Sequence, residues 1–295
     1  MSDHVLAIDL GTSGPKVALV AADGAVIGGQ FEPIDLILLP DGGAEQDPQG
    51  WWSAIVTATR RVITANADTS IVAISVTSQW SGTVAIDAAG RPIGNAIIWM
   101  DTRGEPYVAD LIGGPLQVQG YNLRKARKWI QLTGGAPTTA GKDPIAHILY
   151  LRNERPEIYG QTRQFLEPKD YINYLLTGAA RASFDSITLH WLTDNRDPNA
   201  VRYDDGLLKM AGIPRSKLPD LIPATSVVGA LLPEVAARLG LPGDTPVIGG
   251  TPDLHSSGVG AGATADYASH LYIGTSAWLS CHVPFKKTDL AHNIA

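Results

Sequence analysis

The sequence predicts an α/β layered domain. Three observations carry that prediction. Three candidate strands joined by tight turns open the chain, helix and strand signals alternate after residue 47, and short strands return from Pro246.

Val5 to Leu10 and Lys16 to Ala21 are apolar runs separated by the turn Gly11-Thr12-Ser13-Gly14-Pro15. Asp23-Gly24 is a strong hairpin signal and leads into a third strand from Ala25 to Ile34. The opening therefore reads as an antiparallel meander and not as a βαβ unit. Asp47 stands where it can cap a helix with Pro48 at its first position, running through Trp51, Trp52, Ile55 and Val62 to Asn66. Ile71 to Thr77 returns as a buried strand. Thr83 to Asp87 and Ile93 to Trp99 read as a further hairpin about Ala88-Ala89-Gly90. Residues 102–240 read as mostly helical. Asp143-Pro144 and Pro168 each open a helix, Gly178 closes the second, and shorter helices fall near Leu207 to Ala211 and Pro233 to Leu239. Beyond Pro246, Val247-Ile248 is a strand and Pro252 to Gly262 a helix dense in small residues. Ala268 to Ile273 and Ala277 to Cys281 are two strands around Gly274-Thr275-Ser276. That echo of the opening Gly-Thr-Ser turn is the one hint of internal duplication.

With 295 residues and 44% hydrophobic content, the chain can bury a sizeable core. A net charge of −6 argues against a nucleic-acid surface. Cys281 is the only cysteine, so no internal disulfide is possible and a reducing cytosol fits best. No apolar run reaches the roughly 18 residues of a membrane helix, and the N-terminus lacks the pattern of a signal peptide. The expectation is a cytoplasmic protein acting on a small molecule, with neither nucleic acid nor membrane as partner.

Four constellations can carry chemistry. In the first, Asp9 ends a strand and Gly11-Thr12-Ser13-Gly14 follows, with Lys16 beyond. Small residues let backbone N–H groups close around a phosphate, the Thr12 and Ser13 hydroxyls can bond its oxygens, and Asp9 can hold Mg²⁺ directly or through water. The same residues also make an ordinary hairpin turn. The second, Gly274-Thr275-Ser276, repeats that turn between two strands at the far end of the chain. Gly249-Gly250-Thr251-Pro252-Asp253 is the third. Asp253 either complements a helix dipole, with Thr251 as cap, or serves as a general base toward an attacking hydroxyl. The fourth joins Ser78-Gln79-Trp80-Ser81-Gly82 to Trp99-Met100-Asp101-Thr102-Arg103. Amide, carboxylate, guanidinium and indole groups suit a polyhydroxylated ligand, while Asp101 as an N-cap and Trp99 in the core is the plain structural alternative. Two apparent motifs carry nothing. Gly135 to Lys142 has the wrong spacing for a Walker A loop and continues into Asp143, and Gly258-Val-Gly260-Ala-Gly262 is not a dinucleotide fingerprint. The histidines show no metal-ligand spacing.

Asp9-Leu-Gly-Thr-Ser-Gly-Pro-Lys16 resembles the first phosphate motif of the FGGY carbohydrate kinases, a family that includes xylulose, ribulose, gluconate and glycerol kinases. Trp99-Met-Asp101-Thr-Arg103, Lys169-Asp170-Tyr171 with Leu176-Thr177-Gly178, Gly249-Gly-Thr-Pro-Asp253 and Gly274-Thr275-Ser276 resemble that family as well, in its order and over essentially the whole chain. The resemblance implies an actin-like ATPase fold: a ribonuclease H-like domain, a mixed sheet with helices on both faces, followed by an incomplete second domain. It divides the chain into a sugar-binding domain at 1–245 and the start of a nucleotide-side domain at 246–295.

The implied activity is transfer of the γ-phosphoryl of ATP, with Mg²⁺, to a hydroxyl of a sugar or polyol, most simply a pentulose such as xylulose. Asp253 is the implied catalytic base, which also touches substrate, and Asp9 the Mg²⁺-linked residue. Gly11, Thr12, Ser13, Lys16, Gly274, Thr275 and Ser276 are the implied ATP-phosphate contacts. Gln79, Trp80, Ser81, Trp99, Asp101 and Arg103 are the implied sugar contacts. Xylulose kinases usually read Gln-Met-His-Gly where this chain has Gln79-Trp80-Ser81-Gly82, so the imidazole expected at the sugar is absent. Family members also continue well beyond this length, so this chain alone is expected to be a fragment that can lack turnover. A non-catalytic sugar-binding or regulatory fragment is the alternative, and an actin-fold phosphatase or ATPase a further one. Strands at 268–281 without their family partners would expose edges, so association, as in a homodimer, or disorder is expected there.

Overall fold

The computed structural model describes residues 3–274 and 277–285. Its centre is a six-stranded mixed sheet. The N-terminal meander is present as expected, with β1 (Asp3–Gly11), β2 (Gly14–Ala21) and β3 (Val26–Phe31) successively antiparallel. Helix α1 (Pro48–Ala65) crosses over to β4 (Ser70–Ser78), which lies parallel to β1. Farther along come α2 (Pro168–Thr177), β5 (Val227–Ala230), α3 (Pro233–Leu239), β6 (Pro246–Ile248), α4 (Asp253–Gly260), β7 (Ser269–Ile273) and β8 (Ala277–Cys281). The sheet order is β5-β6-β4-β1-β2-β3, with β6 parallel to β4 and antiparallel to β5. The expected division at residue 245 thus falls between two paired strands of one sheet.

Period-two patterning explains how the sheet is buried. Leu6, Ile8 and Leu10 of β1 share a face with Leu19 and Val17 of β2 and with Ile74 and Val76 of β4, all fully or almost fully buried. Trp51 and Ile55 of α1, Ile172 and Leu176 of α2 and Leu239 of α3 complete that core. Helices α1, α2 and α3 therefore cover the one face. On the opposite face α4 meets the end of β4, where Ser256 Oγ donates to Thr77 Oγ1 at 3.0 Å, and Val5, Ala7 and Ser75 remain half-buried.

Asp47 caps α1 as its sequence position implies: its carboxylate accepts the Gln49 N–H at 2.9 Å, with Pro48 in the first turn. Losing such a cap costs about 1 kcal/mol. Asp47→Ala is therefore expected to lower the melting temperature by roughly 2–4 °C, the scale for a domain of this size, as read by differential scanning fluorimetry.

The segments about Thr83–Asp87 and Ile93–Trp99 meet as the expected hairpin, through the bridges Thr83–Ile97 and Ile86–Pro92 and a tight turn in which the Gly90 N–H donates to the Asp87 carbonyl and the Asp87 N–H to the Arg91 carbonyl. Each segment also pairs with a distant one, Val84–Ile86 with Gln164–Leu166 and Ala96–Ile97 with Ala44–Gln46. Both short strands are wholly buried, so their backbone groups need partners on each side. One expectation needs correction: residues 102–240 are less helical than expected. Helices at Glu105–Ile112, Leu123–Thr133 and Pro144–Glu154 surround a second core with Trp129 and Phe165, but two-stranded pairs such as Arg181–Ser183 with Asp220–Ile222 interrupt the run. Among the described residues, β7 and β8 pair only with each other and leave Leu271, Ile273 and Leu279 exposed. No helix among the described residues is long and apolar enough to cross a membrane.

Candidate functional site

Parallel strands β1, β4 and β6 end at the same edge of the sheet, so the segments that follow them, Gly11-Thr12, Gln79-Trp80 and Gly249 to Asp253, gather at one place. A cleft of about 670 Å³ opens there. It is lined by Asp9, Thr12, Ser13, Lys16, Gln79, Trp80, Ser81, Trp99 and Asp253, with Gly11, Gly14, Thr77 and Ser256 between them.

The β1–β2 turn needs its glycine. Gly14 has φ +145°, and a Cβ there would lie 2.0 Å from the Glu32 carbonyl oxygen. Thr12 is held on three sides: its hydroxyl accepts from Trp99 Nε1 at 3.0 Å and donates to Gln79 Oε1 at 3.1 Å, and its carbonyl accepts from Gln46 Nε2 at 2.7 Å. Gln46, fully buried, also accepts from Gln79 Nε2 at 2.7 Å and from Trp51 Nε1 at 3.2 Å. Ser13 and Lys16 stay exposed, and Lys16 Nζ reaches Asp9 Oδ2 at 3.1 Å. Gly274 lies outside the cleft lining, and Thr275 and Ser276 lie outside the described residues.

Asp253 opens α4. The loop before it depends on Gly250, with φ +70° and a Cβ position 2.0 Å from the Val76 carbonyl oxygen, so only glycine fits. Thr251 does not cap α4; its hydroxyl sits 2.6 Å from Ser256 Oγ while its carbonyl accepts from Thr77 Oγ1 at 2.7 Å. Burial pushes the Asp253 carboxyl up to about 6, with Asp9 adding to the rise and the Leu254 N–H and Lys16 opposing it. A carboxyl that titrates there is an effective proton acceptor near neutral pH. Two carboxylates, Asp9 and Asp253, thus face one cleft and repel each other, and a hydrated divalent cation carrying phosphate oxygens fits that donor set.

Trp80 forms a wall. Its Nε1 donates to the Ser186 carbonyl at 3.0 Å and its ring meets His255 edge-on at 5.2 Å. Ser81 lines the cleft with φ +65°, and its hydroxyl donates to the Lys142 carbonyl. Of the expected sugar contacts, Asp101 and Arg103 do not line this cleft. Asp101 spends its oxygens on the Ala44 and Arg103 N–H groups and on the Arg103 guanidinium. Arg103 also bonds Glu45 and Tyr150 and borders a separate cleft of about 230 Å³.

Sequence reasoning missed Gln46, Glu167 and Asn173. Each is a buried polar residue whose partner lies far away in the sequence, with no local pattern to distinguish it. Lys169 and Asp170 were seen only as part of a resemblance, and the structure buries both behind the cleft.

Residues 4–260 match the model of the FGGY family of carbohydrate kinases, N-terminal domain. Xylulose kinase of Escherichia coli is 28% identical over 281 residues, covering 92% of this chain and 52% of that protein. Gluconokinase of Bacillus subtilis is 27% identical over 98% of this chain and 54% of its own length. Among solved structures, gluconate kinase from Lactobacillus acidophilus superposes with a TM-score of 0.82 at 25% identity, over 95% of this chain and 54% of the other. The chain thus spans about half the length of the curated relatives it matches. Its mixed sheet is that of the actin-like, ribonuclease H-like fold. On the match over residues 4–260 and this fold, the chain belongs to the FGGY family of carbohydrate kinases.

Proposed function

We propose that this chain provides the sugar site and the general base of a kinase that transfers the γ-phosphoryl of ATP to a sugar or polyol hydroxyl. The observation that carries this reading is Asp253, half-buried, titrating near 6, and opening into the same cleft as Trp80, Trp99 and the Thr12-Ser13 turn. Asp253 accepts the proton of the substrate hydroxyl as that oxygen bonds to the γ-phosphorus and the bond to the bridging oxygen of ADP breaks. Thr12, Ser13 and the backbone N–H groups of their turn bind the transferring phosphoryl group, and Lys16 offsets its charge. Asp9, with Asp253 nearby, would hold a divalent ion, Mg²⁺ in the simplest case, which neutralises phosphate charge when bound. Indole faces of Trp80 and Trp99 stack on the C–H surface of the sugar. Asp101 and Arg103 brace the scaffold and do not touch substrate.

A pentulose such as xylulose is the leading substrate class, supported by the E. coli relative; gluconate follows from the B. subtilis relative. On this reading the sugar side extends through α4, because β6 belongs to the main sheet, and the nucleotide side begins with the β7–β8 hairpin.

The test is a thermal-shift screen of this chain against xylulose, ribulose, gluconate, erythritol and glycerol, each with and without Mg-ATP. A substrate well above its Kd should stabilise the fold by a few kcal/mol. Stabilisation by one sugar, with D253N retaining it, supports the reading. No response to any sugar, by this chain and by a form extended to the relatives' length, overturns it.

A further inference from the structure

Behind the cleft, the first turn of α2 carries a buried ion pair that the chemistry above does not use. Lys169 and Asp170 are both almost completely buried, with Lys169 Nζ 2.5 Å from Asp170 Oδ1. The same ammonium donates to the Gly249 carbonyl at 2.9 Å, and Asn173 Nδ2 donates to that carbonyl at 2.8 Å. Both acceptor positions of one oxygen, four residues before Asp253, are thus occupied from α2. Asp170 works in the other direction. Its Oδ2 accepts the Ser186 hydroxyl at 2.7 Å, and the Ser186 carbonyl holds Trp80 Nε1. Glu167, just before the helix, adds a third hold by accepting the Gly82 N–H at 2.9 Å.

Stability alone does not account for such a pair. Taking two charges out of water is costly, and well-packed apolar residues in their place are often neutral or stabilising. What the charges supply here is geometry: one helix turn reaches the loop of the base on one side and the wall of the pocket on the other.

We propose that Lys169 and Asp170, with Asn173, are positioning residues that set the separation between the Asp253 loop and the Trp80 wall. The proposal rests on the sugar site described above. Its test replaces the pair together, Lys169→Met with Asp170→Leu, so that no buried charge is left unpaired. Two readouts are taken: xylulose affinity by calorimetry, and the indole ¹⁵N–¹H resonance of Trp80, assigned with Trp80→Phe.

The double variant is expected to melt within a few degrees of the parent, to bind the sugar at least tenfold more weakly, and to shift the Trp80 resonance. Parent-like affinity together with an unmoved resonance overturns the proposal. If the parent itself binds no tested sugar, the functional reading fails separately. The Trp80 resonance then decides this inference, a shift supporting it and an unchanged position overturning it. Should the double variant not fold, Asn173→Leu takes its place, since it removes a donor to Gly249 without leaving a charge. The same readouts apply, with an expected loss of at least threefold.

Discussion

On the proposed function, Asp253→Asn in a form extended to the relatives' length is expected to abolish phosphoryl transfer, and in this chain to make the fold more stable above pH 6. Loss of a general base costs on the order of 10²–10⁴ in rate, while sugar affinity should stay within a few-fold because the amide keeps the shape of the carboxylate. The stability effect follows from linkage. The Asp253 carboxyl titrates near 6 in the folded chain against 3.8 for an unperturbed aspartate. Between those values the folded state binds more protons than the unfolded one, so stability falls as pH rises through that window, and the cost is complete above about 6. A shift of that size corresponds to about 3 kcal/mol. The asparagine variant lacks the penalty. It should melt several degrees above the parent at pH 8 and close to it at pH 4, measured without nucleotide or metal. Equal melting at pH 8, or turnover within tenfold of the parent, would place Asp253 outside the chemistry.

Arg103→Met is expected to act in the opposite way, with a large loss of stability and none of sugar binding. Arg103 holds Asp101 through Nε at 2.9 Å and Nη2 at 2.6 Å, and Asp101 is 1% exposed. Removing the cation leaves a buried carboxylate uncompensated, a change that costs about 3–5 kcal/mol. The melting temperature should fall by roughly 10 °C on the 2–4 °C per kcal/mol scale of a domain this size. Sugar affinity of the folded fraction should remain within twofold. Lost affinity at an unchanged melting temperature would instead put Arg103 in the sugar pocket, as the resemblance implied.

Local patterning reached far into this chain. The apolar alternation of β1 and β2, the Asp47-Pro48 start of α1, the Gly178 stop of α2 and the Gly-Thr-Ser turn were legible because each depends on neighbouring residues: side-chain period, a cap, a positive φ. Asp253 was legible for the same reason, standing at a helix start after Gly249-Gly250.

What local pattern could not show was the partner of each buried polar group. Gln46 reads as a polar residue before a helix, yet it joins Thr12, Gln79 and Trp51. Lys169 reads as a charged residue on an amphipathic helix, yet its ammonium holds a carbonyl 80 residues away. Arg103 stands within four residues of Trp99 in sequence, but only Trp99 lines the cleft. Hydrogen bonds between distant segments are set by how the sheet and its covering helices bring those segments together. The sequence by itself determined the strands, the turns and the residue types of the site. Tertiary packing alone decided which of those residues share a cleft, because a buried donor or acceptor must be paired and its partner lies wherever the fold brings the chain back.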